Sequence, residues 1–196
     1  RDIGKALFGH SRLLTLVITS FILYGFATYC AVWSLQPYWK SRGLDYTFFG
    51  YLWAGNCVLV AIISRYADRI EEKIGPFKVV ILIGLMPIIG YLGMGFTGGI
   101  FGLFFTLAFP VCRGLNQVIF QDAINSRVPA EMRATVNSIG TLGMRALFIL
   151  FGPLIGSALD RGGPDHAMRI LGASYVIIFL LVTLPVLGQR KQFRVD

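Results

Sequence analysis

The chain has 196 residues, of which 55% are hydrophobic and 14% charged, and its formal net charge is +8. So little polar surface excludes an ordinary soluble domain, and the long apolar runs exclude the short alternating strands of a membrane β-barrel. The basic residues are spread over several loops, which argues against nucleic-acid binding. We predict an all-α integral membrane protein, because a segment in lipid must satisfy its backbone hydrogen bonds internally.

Six apolar segments are long enough to cross about 30 Å of hydrocarbon as helices. We predict spans at residues 13–36, 48–67, 77–96, 100–121, 134–159 and 167–187, with Pro37 ending the first. Residues 1–12 form a basic lead that begins with Arg1 and has no signal-peptide pattern. We therefore expect a fragment: an interdomain lead over 1–12, a six-helix bundle over 13–188 and a tail over 189–196.

Lysine and arginine are distributed unequally between the two sides of this topology. Twelve lie on one side: Arg1, Lys5, Arg12, Arg65, Arg69, Lys73, Lys78, Arg127, Arg133, Arg190, Lys191 and Arg194. Four lie on the other: Lys40, Arg42, Arg161 and Arg169. Since basic residues concentrate on the cytoplasmic side, we predict that both termini are cytoplasmic and that the protein lies in the cell (inner) membrane.

The densest run of charge lies between the second and third predicted spans. Residues 64–78 hold four basic and three acidic side chains, so we predict a loop at the cytoplasmic surface. Ser64, Asp68, Arg69 and Lys73 fit a degenerate form of the motif G-x-x-x-D-[RK]-x-G-[RK]-[RK], with Glu71 in place of the second glycine.

Two later segments carry further motifs. Residues 129–135, Pro-Ala-Glu-Met-Arg-Ala-Thr, fit P-x-x-x-R-[AG]-T, and residues 152–160 fit G-P-x-x-G-x-x-x-D. In this order and spacing, the three motifs resemble those of the C-terminal half of a major facilitator superfamily transporter. The resemblance implies six of twelve helices, a missing N-terminal six-helix half, and a solute site between the two halves.

Two arginines lie inside predicted spans. Arg113 and Arg145 are about nine and twelve residues from the nearest cytoplasmic loop, or ~13 and ~18 Å along a helix. A charge at such depth is costly unless it faces a cavity or a partner. We predict substrate or coupling contact for both, with a purely structural pairing as the open alternative.

Other polar or aromatic residues in the spans complete the predicted site. Asn116 and Gln117 share a helical face with Arg113, and Gln36, Asn56 and Trp33 are candidates on the first two spans. The alternatives are hydrogen bonding between helices for the amides and interfacial packing for Trp33.

The motifs themselves suggest mechanical roles. We predict that Asp68 and Arg69 form a cytoplasmic latch that bonds a neighbouring span in one conformation only, the alternative being a weak surface ion pair. Gly152, Pro153 and Gly156 form a small-xxx-small pattern that favours close helix packing.

The expected function is secondary active transport of a small solute by alternating access, in uptake or efflux. The alternative is a six-span channel-like or non-transporting assembly protein. We expect no enzyme, cofactor or metal, because His10 and His166 lie at opposite membrane faces and no phosphate-binding glycine loop occurs. The two arginines favour an anionic solute, and amphipathic drugs remain open. If protons drive transport, the titrating acid belongs to the missing half.

Overall fold

The computed structural model describes residues 12–188, and all the secondary structure in that range is helical. The predicted lead and tail lie outside these residues, except that Arg12 begins the first helix. Five helical stretches in the described part are long and apolar enough to cross a membrane. The all-α class is confirmed for this part, and the length and apolar composition of its helices are compatible with a membrane protein.

Helix α1 runs from Arg12 to Ser41, so the prediction that Pro37 ends it is wrong. A proline removes one backbone hydrogen bond, but the following turn is fixed by packing. Tyr38 and Trp39 are fully buried, and the Tyr38 hydroxyl donates to the carbonyl of Met94, 3.1 Å away. Burial of two aromatic side chains outweighs the local loss.

Helix α2 runs from Phe49 to Ile74, which corrects the predicted loop at residues 64–78. Between Ser64 and Ile74 there is no glycine or proline, and Ala, Arg, Glu and Lys favour a helix. The chain turns only at Gly75, whose φ is +86°. Pro76 then occupies the first turn of α3, Pro76–Phe96, where its missing N–H costs nothing. The charged run is thus a helical extension.

Helix α4 is a composite stretch from Gly99 to Asn125. It consists of a 3₁₀ segment, Gly99–Leu107, an α segment, Ala108–Leu115, a π segment, Asn116–Phe120, and a last α turn, Gln121–Asn125. Segments of π-helix are rare and occur frequently at functional sites. This one begins at a residue of the predicted site.

After a short turn at Ala130–Met132, helix α5 runs from Arg133 to Ile178 and is interrupted at Gly163, where φ is +75°. It continues through a π segment, Phe179–Thr183, and Leu184–Gly188. A straight helix would separate Leu147 from Ile178 by ~46 Å, yet both line one apolar cavity. The chain therefore folds back at Gly163 into a first arm, 133–162, and a second arm, 164–188.

Small residues allow neighbouring helices to pack closely. Gly140 and Gly143 of the first arm lie against Phe21 and Ile22 of α1, and Gly172 of the second arm lies against Leu92 of α3. α2 packs mainly on α4. Large apolar side chains remain exposed on α2 and the first arm: Tyr51, Val58, Ile62, Tyr66, Leu142, Ile149, Leu150 and Leu154. Such surfaces belong in lipid or against other helices.

Candidate functional site

A polar cavity of about 270 Å³ lies between α1, α4 and the first arm of α5. We call it the arginine cavity. It is lined by Phe21, Gly25, Thr28, Tyr29, Arg113, Asn116, Gln117, Gln121, Asn137, Thr141, Met144 and Arg145. Four residues predicted from the sequence, Arg113, Arg145, Asn116 and Gln117, thus line one cavity. No acidic side chain is among the described residues of its wall.

Three of these residues come from one face of α4. Arg113, Asn116 and Gln117 are spaced by three and four positions, which places them side by side on a helix. The opposite face packs into the apolar core, where Cys112, Leu115 and Ile119 are buried. The amphipathic pattern of α4 therefore turns its polar groups towards the cavity.

Arg113 and Arg145 make no ion pair within residues 12–188. The ion pair found there joins Arg42 to Asp165, at the ends of α1 and the second arm. Thr141, one turn before Arg145, is occupied with the carbonyl of Asn137 at 3.1 Å. Both guanidinium groups therefore bring positive charge to the cavity, and no described carboxylate of this chain neutralises it.

Asn116 differs from the two arginines in being almost completely buried, with 2% of its surface exposed. Its Nδ2 donates to the backbone carbonyl of Phe21, 3.3 Å away on α1. Its Oδ1 is buried and has no hydrogen-bond partner in the described part of the chain. Asn116 is thus both a bridge between α1 and α4, as one sequence-based alternative proposed, and a source of a free acceptor.

A second cavity of about 180 Å³ lies between α1, α2 and α4. We call it the side cavity. Arg113 and Gln117 line both cavities, and Asn56 lines only this one. Asn56 donates to the carbonyl of Leu52, one turn earlier in its own helix, at 2.9 Å. Its amide group therefore donates no hydrogen bond to another helix. Because Asn56 lies on α2, it extends the predicted site towards that helix.

Trp33 and Gln36 lie outside both cavities. Trp33 is 59% exposed and stacks on Phe148 of the first arm, with ring centroids 5.8 Å apart. Gln36 is exposed on the same helix. The structure therefore favours the packing interpretation for Trp33, and it brings neither residue to the arginines.

Thr28, Gln121 and Asn137 also line the cavity but were not predicted from the sequence. Asn137 donates to Oδ1 of Asn125 at 3.1 Å, and its own Oδ1 is buried without a partner in the described region. The signal was present, since Asn137, Thr141 and Arg145 repeat every four residues on the first arm. Without the structure, nothing distinguished this face from any other polar stripe.

The predicted latch residues lie on the charged extension of α2. The Arg69 guanidinium lies over the Tyr66 ring, 5.5 Å from its centroid. Nearby, burial, Asp122 and then Asp68 raise the pKa of Glu71 above its ordinary value. Glu71 and Asp122 face a cavity of about 310 Å³ that also contains Arg127. A latch requires a second conformation, so Asp68 and Arg69 stay a prediction.

Neither Gly152 nor Gly156 is shown in close contact with another helix of the described chain. A methyl group at Gly156 would contact no atom within 4 Å, and one at Gly152 would meet Phe148 of the same arm. Pro153 is exposed. Close packing at these residues therefore stays a prediction, which would need a partner surface.

Comparisons with family models, with curated proteins and with solved structures found no match for this chain. The resemblance of the three motifs to those of a facilitator transporter therefore stays a prediction. Among residues 12–188, no group of three or more His, Cys, Asp or Glu side chains is placed to hold a metal ion.

Proposed function

We propose that this chain is the C-terminal six-helix half of a facilitator-type secondary transporter, which moves a small solute by alternating access. The observation that carries the proposal is the arginine cavity. Polar and charged groups of α1, α4 and the first arm converge there, within a bundle that exposes large apolar side chains on α2 and the first arm. Polar groups at depth in a membrane protein are costly and are retained where solutes or ions pass.

The proposed topology has six spans, with the two arms of α5 as the fifth and sixth. Both termini lie in the cytoplasm and the bilayer is the inner membrane, as the distribution of basic residues favours. Reporter fusions after Phe96 and after Leu187 test this. An external signal from the first and a cytoplasmic signal from the second are expected. The opposite result at either position overturns the topology.

The proposed partner is an N-terminal six-helix half that closes the cavities from the other side. The exposed apolar faces of α2 and the first arm supply surface for such contacts or for lipid. Alternating access requires two walls that move relative to each other. We therefore expect residues 1–196 alone, reconstituted in liposomes, to transport nothing, whereas the native protein that carries this chain should transport.

Counterflow separates a carrier from the alternative, a channel-like or non-transporting assembly protein. Proteoliposomes of the native protein are loaded with unlabelled solute and exposed to the labelled solute. Trans-acceleration is expected of a carrier, because the occupied site returns faster than the empty one. Flux without trans-acceleration supports a channel, and no flux with any solute supports an assembly role.

If protons drive transport, the titrating acid belongs to the partner half. The described residues lining the arginine cavity and the side cavity include no carboxylate. Asp122 and Asp160 lie near the ends of their helices. An acid from the partner half would find Arg113 or Arg145 as its nearest cation, and a positive neighbour lowers the pKa of a carboxyl group.

A further inference from the structure

We propose that the arginine cavity binds an organic anion that also carries a hydrogen-bond donor next to its anionic group, as a 2-hydroxy carboxylate does. This ligand class rests on the proposed transport function and specifies the solute at the same site. It follows from two independent features of the wall: uncompensated positive charge, and the buried, unpartnered Oδ1 acceptors of Asn116 and Asn137, of which Asn116 lies one helical turn from Arg113.

The positive charge of the cavity wall favours an anionic ligand. Arg113 and Arg145 reach the cavity from α4 and from the first arm, and the described wall offers them no carboxylate. Two like charges in a partly enclosed, low-dielectric space repel a cation and favour an anion. A guanidinium group binds a carboxylate through two parallel N–H···O bonds. The wall therefore disfavours cationic drugs, which the sequence alone left open.

The free Oδ1 acceptor of Asn116 favours a ligand that carries a hydrogen-bond donor. Asn116 Nδ2 is bonded to the Phe21 carbonyl, and a carbonyl can only accept a hydrogen bond, so Oδ1 is fixed as the free end. Buried polar atoms in native proteins nearly always have a partner, yet this Oδ1 has none among residues 12–188. A ligand O–H or N–H would satisfy it.

The spacing of these groups requires a compact ligand. Arg113 lies three positions before Asn116, one turn along the same face, where side chains start about 5–6 Å apart. A carboxylate held by Arg113 thus lies close to the Asn116 acceptor, and a donor on the adjacent carbon can reach it. The volume of about 270 Å³ suits a small acid. Asn116 also begins the π segment of α4.

The test compares matched acids on the native protein that carries this chain, held in lipid nanodiscs. Dissociation constants are measured for three pairs that differ by one hydroxyl group: glycolate and acetate, lactate and propionate, mandelate and phenylacetate. Lactamide supplies the donor without the charge, and tetraphenylphosphonium supplies an amphipathic cation. We expect the hydroxy acid to bind about 2- to 10-fold more tightly in each pair, since one hydrogen bond changes affinity by that factor. Lactamide and tetraphenylphosphonium should both bind more weakly than the hydroxy acids.

Substitutions assign the effect to its atoms. Asn116→Leu keeps the size of the side chain and removes the acceptor, so we expect the hydroxy acid to lose its advantage over its partner. Arg145→Gln should weaken both acids of a pair about 10-fold and keep the advantage. Ser174→Ala, which removes a hydroxyl bonded to its own helix outside the cavity, should change neither. If Asn116→Leu does not fold, the wild-type pairs and Arg145→Gln still decide.

Equal affinity within the three pairs, or no binding by any of the six acids, overturns the ligand class. Tighter binding of tetraphenylphosphonium than of the acids overturns it as well. Counterflow of that cation in proteoliposomes would then leave the transport function standing with a different solute. Binding of hydroxy acids without counterflow would support the ligand class and reject the carrier.

Discussion

Tyr24 and Thr183 share a hydrogen bond between their hydroxyl groups, although 159 positions separate them in the chain. Both are fully buried. Tyr24 belongs to α1, and Thr183 ends the π segment of the second arm of α5. The Tyr24 ring also stacks on Phe120, which ends the π segment of α4, with centroids 6.5 Å apart. One side chain thus joins the two irregular helical segments to the middle of α1.

Removing this hydrogen bond should lower the free energy of unfolding. For Tyr24→Phe and for Thr183→Val we expect losses of about 0.5–2 kcal/mol, the range for hydrogen bonds between buried groups. The double variant should lose less than the sum of the two, because the second change removes a group that is already unpaired. Unfolding in mixed detergent micelles measures this, with Tyr51→Phe on an exposed ring as the control. Strict additivity would show that the two hydroxyls do not interact.

Gly95 determines how closely α3 approaches the second arm of α5. A methyl group at Gly95 would lie 3.0 Å from the Arg169 backbone nitrogen and 3.1 Å from the Asp165 carbonyl oxygen. Because backbone cannot move aside cheaply, Gly95→Ala should cost about 1–3 kcal/mol of unfolding free energy. In Gly50→Ala the new methyl group meets no atom within 4 Å, so no loss is expected. Equal melting temperatures for the two variants would contradict this helix contact.

Uptake measurements should distinguish the two cavity arginines from an arginine on the surface. In the native protein, we expect Arg113→Gln and Arg145→Gln each to weaken uptake of an anionic solute about 10-fold or more, since each removes a charge-assisted hydrogen bond. Arg161→Gln, on an exposed residue, should have no effect.

The pH profile of uptake then distinguishes the roles of these arginines. A lost affinity with an unchanged pH midpoint assigns the arginine to the solute. A midpoint shifted to higher pH assigns it to a titrating acid of the partner half, whose pKa rises when the positive neighbour is removed. If affinity and midpoint are both unchanged, the arginines are structural and the site is elsewhere.

Glu71 should make stability depend on pH. It lies on the charged extension of α2, beyond the apolar part of that helix, where burial, Asp122 and Asp68 raise its pKa above the ordinary value of 4.5. A raised pKa in the folded state means that the contribution of Glu71 is fully present below pH ~4.5 and is lost as the pH rises through the folded-state pKa. Glu71→Gln should therefore raise the melting temperature at pH 7 relative to the wild type.

The melting temperature of the same variant near pH 4 should match that of the wild type, because both side chains are then uncharged. Glu72→Gln, at the exposed neighbouring position, is the matched control and should leave the pH dependence unchanged. A Glu71→Gln curve parallel to the wild-type curve from pH 4 to 7 would contradict the assignment.

The sequence by itself determined the class and the approximate position of the helices. Long apolar runs must be helical in lipid, and the boundaries of α3 were predicted to within one residue. Depth along a helix and helical spacing also placed Arg113, Asn116 and Gln117 on one face, because these depend only on local geometry.

Only the tertiary structure decided which faces meet. The turn at Gly163 folds the second arm of α5 back beside the first, and packing of Tyr38 and Trp39 carries α1 past Pro37. The same packing brings Arg145 and Asn137 to Arg113, buries Asn116 against Phe21, and leaves Trp33 and Gln36 outside. These contacts depend on side chains far apart in the sequence, whose burial energies override local propensity, so local patterns could not predict them.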